Sequence, residues 1–264
     1  MLYDYETLSI DRPQEFVLLV TIDRPESRNA MNTQMGRDLL DLFGGLLCDP
    51  GDVRTVVVTG AGDQAFCAGG DLKERNGMTD EAWRLQHVIF EQALYHVMDC
   101  PVPVIAAVNG AAFGGGCEMA LMADFVYAST NARFALTEVT LGIIPGCGGT
   151  QNLPRDAGSR RAKEILFTGS PFTAQDGLDW GIVNKVVAPA ELLPAVLATA
   201  SRIAENGPLA IRQAKRSVDL GQGTDRKTAL GIEVEAYNRL VSTEDRREGV
   251  LAFNEKRKPR FLAR

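Results

Sequence analysis

Two glutamates carry the most suggestive chemistry in this chain. Glu118 follows Gly114-Gly115-Gly116-Cys117 and precedes the apolar run Met119-Ala120-Leu121-Met122-Ala123. Glu138 comes later, beside a second glycine-rich turn, Ile144-Pro145-Gly146-Cys147-Gly148-Gly149-Thr150. A carboxylate among apolar neighbours is costly unless it is paired, hydrogen-bonded or used in chemistry. Three consecutive glycines leave the backbone bare, so main-chain N–H groups can approach a ligand closely. Good helix formers follow at once, which puts the glycines at a helix N-terminus, where free N–H groups and the helix dipole favour negative charge. A further glycine-rich stretch, residues 60–71, ends in Ala68-Gly69-Gly70-Asp71. If each loop aims one N–H at the same carbonyl oxygen, the pair forms an oxyanion hole. Two carboxylates near that oxygen could then move protons to and from a carbon chain. The set suits enolate chemistry. On these residues alone a plainer reading stands beside it: the glycines serve turns and packing, and Glu118 is a satisfied structural group.

The elements that must hold these residues follow from hydrophobic periodicity. Residues 8–10 and 16–22 read as strands joined by a turn at Asp11-Arg12-Pro13. Asn32 or Thr33 caps a helix over residues 33–47, with Met35, Leu39, Leu42, Phe43 and Leu46 on its apolar face. The β-branched run 55–59 reads as a buried strand. Residues 60–71 form a long loop, and loops of that length in a compact domain are often functional. Thr79 caps a helix to about Asp99. A strand over 104–108 leads into the glycines before Glu118, and short strands are expected at 125–128 and 133–136. Ser159 and Thr173 cap further helices, the latter in a capping box with Asp176. Residues 183–187 form a last strand. Helices then cover 189–205, 208–220, 224–240 and 243–255. Short strands each followed by a helix define an α/β protein. The composition shifts near Asn206-Gly207-Pro208, which divides the chain into a core, 1–205, and a helical C-terminal region, 206–264.

Composition narrows the partners. The chain has 264 residues and a net charge of −6, which argues against a generally basic, nucleic-acid-binding surface. Its five cysteines, Cys48, Cys67, Cys100, Cys117 and Cys147, form no CxxC pair, as expected of reduced thiols in a cytosol-like compartment. The N-terminus starts with early acids and lacks a basic or apolar tract, unlike a secretory or transit peptide. The apolar stretch 102–126 is broken by Asn109, several glycines, Glu118 and Asp124, so it reads as buried core and not as a membrane span. His87 and His96 lack a neighbouring nucleophile or metal-ligand spacing and read as partly exposed structural residues. No metal site is expected.

Several motifs in fixed order resemble the crotonase (enoyl-CoA hydratase/isomerase) family over essentially the whole length. They are Ala65-Phe66-Cys67-Ala68-Gly69-Gly70-Asp71-Leu72-Lys73, Pro103-Val104-Ile105-Ala106-Ala107-Val108-Asn109-Gly110, Gly114-Gly115-Gly116-Cys117-Glu118, Glu138, residues 144–151 and the C-terminal stretch 245–257. The resemblance implies a spiral of β-β-α turns, with C-terminal helices that build trimers, often paired into hexamers. It implies that Gly70 and Gly115 supply the oxyanion-hole N–H groups and that Glu118 and Glu138 hold one water. Glu138 would give a proton to C2, Glu118 would orient and activate the water, and Gly146 would position that water through its backbone. Coenzyme A contacts map to Arg28, Ala30, Ala68, Gly70, Asp71, Leu72, Lys73 and Gly115. Phe253 and Lys256 would complete the pocket from a neighbouring subunit. Coenzyme A enters only as part of the thioester substrate, and no prosthetic group is implied. Plainer roles stay open for three of these residues: Arg28 as a solvated loop charge, Asp71 as a helix cap and Phe253 as core.

The expected function is a cytoplasmic hydratase of 2-enoyl-CoA thioesters in fatty-acid or branched-chain acyl-CoA breakdown. The segments 66–75, 153–155 and 207–212 look most like the methylglutaconyl-CoA hydratase branch. An enoyl-CoA isomerase or acyl-CoA hydrolase would share the oxyanion hole and differ in how the carboxylates are used. A non-catalytic binding protein, for RNA or a partner enzyme, is disfavoured, because both carboxylates are present and the helix at 33–47 contains Arg37, Asp38 and Asp41 but no lysine. Gly70 stands where many family members have alanine. A backbone contact survives that change, and the loop is expected to be looser.

Overall fold

Successive segments of this chain repeat one pattern: a strand for a large sheet, a short connection, a strand for a small sheet, then a helix. The computed structural model describes residues 4–264. A hairpin of β1 (Leu8–Gln14) and β2 (Val17–Ile22) opens the fold, followed by α1 (Thr33–Cys48). The first full repeat is β3 (Thr55–Gly60), β4 (Ala65–Cys67), α2 (Leu72–Arg75) and α3 (Asp80–Met98). The second is β5 (Val104–Val108), β6 (Ala111–Phe113) and α4 (Gly115–Met122). The third is β7 (Phe125–Ser129), β8 (Arg133–Ala135) and α5 (Gly149–Thr168). Then come β9 (Phe172–Thr173), α6 (Ala174–Asp179), β10 (Lys185–Val187) and α7 (Pro189–Ala204). Three helices close the chain: α8 (Pro208–Gln222), α9 (Arg226–Val241) and α10 (Glu244–Glu255).

The large sheet runs β1-β2-β3-β5-β7-β10 and is parallel except for the first hairpin. The small sheet runs β4-β6-β8-β9, with its first three strands parallel. Side chains alternate along a strand, and both faces of the large sheet are covered. Leu18, Val20, Val56, Val58 and Val104 face the main core with α1, α3 and α4. Leu19, Val57, Ile105 and Ala107 face Leu192, Val196 and Ala200 of α7. Continuous burial explains why these strands are runs of valine, isoleucine and alanine.

The sequence places most of these elements, with four differences. The first turn lies at Glu15-Phe16 and not at residues 11–13. Phe16 takes φ +63°, while Pro13 stays inside β1, an edge strand where a missing N–H is tolerated. Two three-residue strands, β4 and β6, and the one-turn helix α2 occupy what reads as loop. The helix expected from Ser159 begins at Gly149 and bends at Gly158, where φ is 76° and ψ 155°, so Ser159 opens its second half. The last strand starts at Lys185, because the Ile182 and Val183 N–H groups are taken by the Gly177 carbonyl.

Gly116 fixes the join between two repeats. A Cβ there would lie 2.0 Å from the Cys67 carbonyl oxygen, so α4 packs backbone to backbone on the end of β4. Gly116→Ala is expected to cost at least ~3 kcal/mol, as overpacking against a rigid backbone. Gly44→Ala, where a Cβ meets nothing within 4 Å inside α1, should instead gain ~0.5–1 kcal/mol. Urea unfolding of the two variants checks the contrast.

Candidate active site

Because β4, β6 and β8 are adjacent and parallel, their C-terminal ends lie side by side. Gly70, Gly115 and Glu138 each follow directly after one of these ends. Topology alone therefore brings together three residues that are far apart in sequence. Ligand sites in open parallel sheets lie at such carboxyl ends for the same reason.

The two glycine loops are held by close backbone contacts. The Met31 N–H donates to the Gly69 carbonyl at 2.7 Å, and the Asp71 N–H donates to the Met31 carbonyl at 2.9 Å. In this parallel bridge the intervening residue, Gly70, turns its own N–H away from Met31. Gly69 has φ +92°, and a Cβ there would lie 2.7 Å from the Phe113 carbonyl oxygen. On the other loop, Gly114 has φ +50°, and its N–H donates to the Ala135 carbonyl at 2.8 Å. Gly115 is the first residue of α4, so its N–H has no acceptor within the helix. Gly70 and Gly115 both line a cavity of about 900 Å³.

Glu118 and Glu138 line the same cavity, with 3% and 9% of their surface exposed. Their carboxylates are treated differently. Glu118 Oε1 accepts the N–H groups of Cys147 and Gly149, both at 2.8 Å. Those groups belong to the turn that starts α5. Burial still raises the Glu118 pKa, against these N–H groups and that of Gly146. Glu138 stands at the start of a 3-10 turn, and its Oε2 is buried without a hydrogen-bond partner. Burial, with the charge of Glu118 adding to it, pushes Glu138 up to about 7. The site thus holds one anchored carboxylate and one that favours keeping a proton.

Within this one chain the expected residues divide between the cavity and its surroundings, Phe253 and Lys256 being expected from a neighbouring subunit. Ala68, Gly70, Leu72, Gly115, Glu118, Glu138 and Gly146 line the cavity, and Arg28, Ala30, Asp71, Lys73, Phe253 and Lys256 do not. Arg28 closes a 3-10 turn with φ +54°, and its carbonyl accepts the Ala68 N–H at 3.1 Å. The Ala30 carbonyl accepts Arg24 Nη1. Asp71 takes the capping role: its side chain accepts the Lys73 and Glu74 N–H groups and pairs with Arg24 at 3.1 Å. Lys73 and Phe253 point to solvent, Phe253 with 83% of its surface exposed, so it is not core. Lys256 is the C-cap of α10.

Conversely, Met31, Arg75, Trp83, His87 and Ile144 line the cavity and were not expected there. His87, read as structural, packs on Gly146, where a Cβ would lie 2.4 Å from its Cε1. Its spacing from Trp83 on one helical face is the only signal that could have placed it. A cleft of similar size, about 970 Å³, lies between Arg54 and the C-terminal tail. Its acids, Glu15, Asp52 and Glu205, are all exposed, so it lacks the buried carboxylate pair.

Two buried carboxylates facing two bare glycine loops, on a spiral of β-β-α turns, are the crotonase architecture. The sequence model of the enoyl-CoA hydratase/isomerase family matches residues 12–264. A crotonyl-CoA hydratase of Syntrophomonas wolfei is 39% identical over 260 residues, 98% of this chain and 99% of that one. A short-chain-enoyl-CoA hydratase of Clostridium acetobutylicum is 41% identical over 242 residues, 92% of each chain. The crystal structure of an enoyl-CoA hydratase from Bacillus anthracis superposes with a TM-score of 0.96 at 40% identity, covering 98% of this chain and 100% of that one. This chain belongs to the enoyl-CoA hydratase/isomerase family.

The raised Glu138 carboxyl makes the site a stability cost. A carboxyl that titrates at about 7 in the fold, against an ordinary 4.5, binds more protons folded than unfolded between those values. Native stability therefore falls as pH rises through that window, and the penalty is complete above it. Glu138→Gln should raise Tm by roughly 2–6 °C near pH 8, with the gain shrinking towards pH 4. Calorimetry at the two pH values checks it.

Proposed function

We propose that this chain is an enoyl-CoA hydratase that adds water across the 2,3 double bond of a 2-enoyl-CoA thioester. The observation that carries this reading is the asymmetry of the carboxylates: Glu118 pinned by two N–H groups, and Glu138 Oε2 buried, unpartnered and inclined to hold a proton. The Gly70 and Gly115 N–H groups receive the thioester oxygen as negative charge develops on it. A water sits between the carboxylates. Glu118 takes its proton as the oxygen bonds to C3, and the electron pair of the double bond moves into the enolate. Glu138 then gives its proton to C2, and the enolate collapses to the thioester. Gly146 keeps the loop against His87 and adds its N–H to the Glu118 environment, which orients the water indirectly.

Coenzyme A lies along the 28–30 and 68–73 segments in this reading and meets backbone more than side chain. Phe253 and Lys256 reach it from a neighbouring subunit of a homotrimer or a dimer of trimers. The exposed Leu230, Val234, Tyr237, Val250 and Phe253 on α9 and α10 supply apolar surface for such contacts. The enzyme works in the cytoplasm, in keeping with its free cysteines. No helix among the described residues is long and apolar enough to cross a membrane.

The test is loss of the ultraviolet absorbance of crotonyl-CoA. Glu138→Gln should lower kcat by ~10²–10⁴ while the protein still binds coenzyme A esters. The wild-type kcat/KM should decline as pH rises through about 7, because the proton donor is then lost. Undiminished turnover in the variant would remove Glu138 from the mechanism. Sedimentation should give a trimer or a multiple of it, and a monomer would exclude the shared coenzyme A pocket.

A further inference from the structure

The second large cleft, of about 970 Å³, shares no lining residue with the reaction cavity. It lies where strands begin: Phe16 precedes β2 and Arg54 precedes β3. Four cations line it, Arg54, Arg212, Lys258 and Arg260. They come from three parts of the chain. Arg54 leads into β3, Arg212 stands on α8, and Lys258 and Arg260 belong to the tail after α10.

Arg54 is held by neutral groups. Its guanidinium lies over the Phe16 ring at 3.9 Å. Nη1 donates to the Ala204 carbonyl at 2.9 Å and Nη2 to the Phe261 carbonyl at 2.8 Å. These contacts fix its plane and bring no formal negative charge. Nε and one hydrogen on each Nη remain to be used. Arg212 is half-buried, and its Nε is buried without an acceptor. Among the described residues its side chain makes no hydrogen bond and no ion pair. Burial lowers its pKa, partly offset by Asp49, and the nearby charge of Arg54 adds to the lowering. Two half-buried guanidiniums thus share one cleft, and among the described residues neither has a carboxylate within ion-pair distance. The acids at the rim do not answer them: Asp52 pairs with Arg12 at 2.7 Å, and Glu15 and Glu205 are exposed. Pro208 opens α8 at the same cleft, and Gly207 gives that helix end no side-chain cap, so the dipole there also favours negative charge.

We propose that this cleft binds a phosphate-type oxyanion, carried by inorganic pyrophosphate or by a nucleotide, between Arg54 and Arg212, with Lys258 and Arg260 reaching it from the tail. Guanidinium forks match phosphate oxygens, and the lysine adds a point charge. Several cations favour an ion of charge −2 or more over a monoanion. The cleft is larger than one phosphate group and includes Phe16 and Phe261, which leaves room for an organic remainder. The anion joins the core to α8 and the tail across the junction at Asn206-Gly207-Pro208, so binding also raises the melting temperature. None of this rests on the hydratase reading.

Calorimetry on the full-length protein tests it, with Kd measured for inorganic pyrophosphate, ADP and acetate at about 0.15 M ionic strength. Wild type should bind pyrophosphate or ADP with a Kd below ~1 mM and gain Tm, while acetate at the same concentration does neither. Pyrophosphate equal to or tighter than ADP assigns recognition to the phosphates alone. Tighter binding of ADP adds the organic part. Arg212→Met should weaken binding by ~10-fold or more, the cost of losing hydrogen bonds to a charged group, and Arg212→Lys should lose less. Lys258→Met, on the exposed tail, should weaken it by ~2–5-fold. Arg216→Met removes the same charge from an exposed position of α8 outside the cleft and should leave Kd unchanged. Binding no tighter than acetate, one Kd for wild type and Arg212→Met, or an equal loss in Arg216→Met overturns the proposal. Should Arg212→Met fail to fold, the contrast between Lys258→Met and Arg216→Met decides.

Discussion

The site depends on one close approach of two backbones. Gly116 lies so near the Cys67 carbonyl that no side chain fits between them, and Gly69 meets the Phe113 carbonyl in the same way. These contacts lock the end of β4 to the start of α4. The loops at Gly70 and Gly115 thereby become one rigid unit, although each belongs to a different repeat. A pair of N–H donors is effective only when their spacing is set before the charge develops, because no reorganisation is then needed. The glycines supply that spacing through what they lack.

The carboxylates rest on the same unit. Glu118 lies one turn into α4, so its place follows from the helix start, and the turn entering α5 supplies its two N–H partners. Glu138 has a different neighbour: a Cβ on Gly114 would come within 3.2 Å of its Oε1. The glycine that turns the backbone into α4 also leaves space for the second carboxylate. Two acids at one cavity are kept apart in character by what surrounds them, one held by backbone N–H groups and one left unpartnered.

The family, and the glycines and carboxylates that meet at the cavity, were legible in the sequence because they are written in local patterns. A glycine triplet before a helix, a carboxylate in an apolar run and buried β-branched strands all leave marks on neighbouring positions. What escaped were features decided at a distance. β4 and β6 are three residues each and exist only by pairing with one another and with β8. Pro154 and Gly158 hid the first half of α5, which survives as a bent helix. Asp71 read equally well as ligand or cap until its partners, Arg24 and the α2 amides, were in place. Arg75 and His87 reach the cavity because α2 and α3 fold back over the loop, and nothing local reports that.

The placement of those two residues gives the fold a division of labour. Gly70, Gly115 and Glu138 follow the ends of three paired strands, where hydrogen bonding allows little drift. Arg75, Trp83 and His87, which line another wall of the cavity, stand on α2 and on the N-terminal half of α3, while the C-terminal half of α3 is packed into the core through Phe90, Ala93, Leu94 and Val97. Substitutions on those helices can reshape the far wall of the cavity while the oxyanion donors and the carboxylates keep their positions. A lineage built on this scaffold can therefore change diet without relearning the reaction.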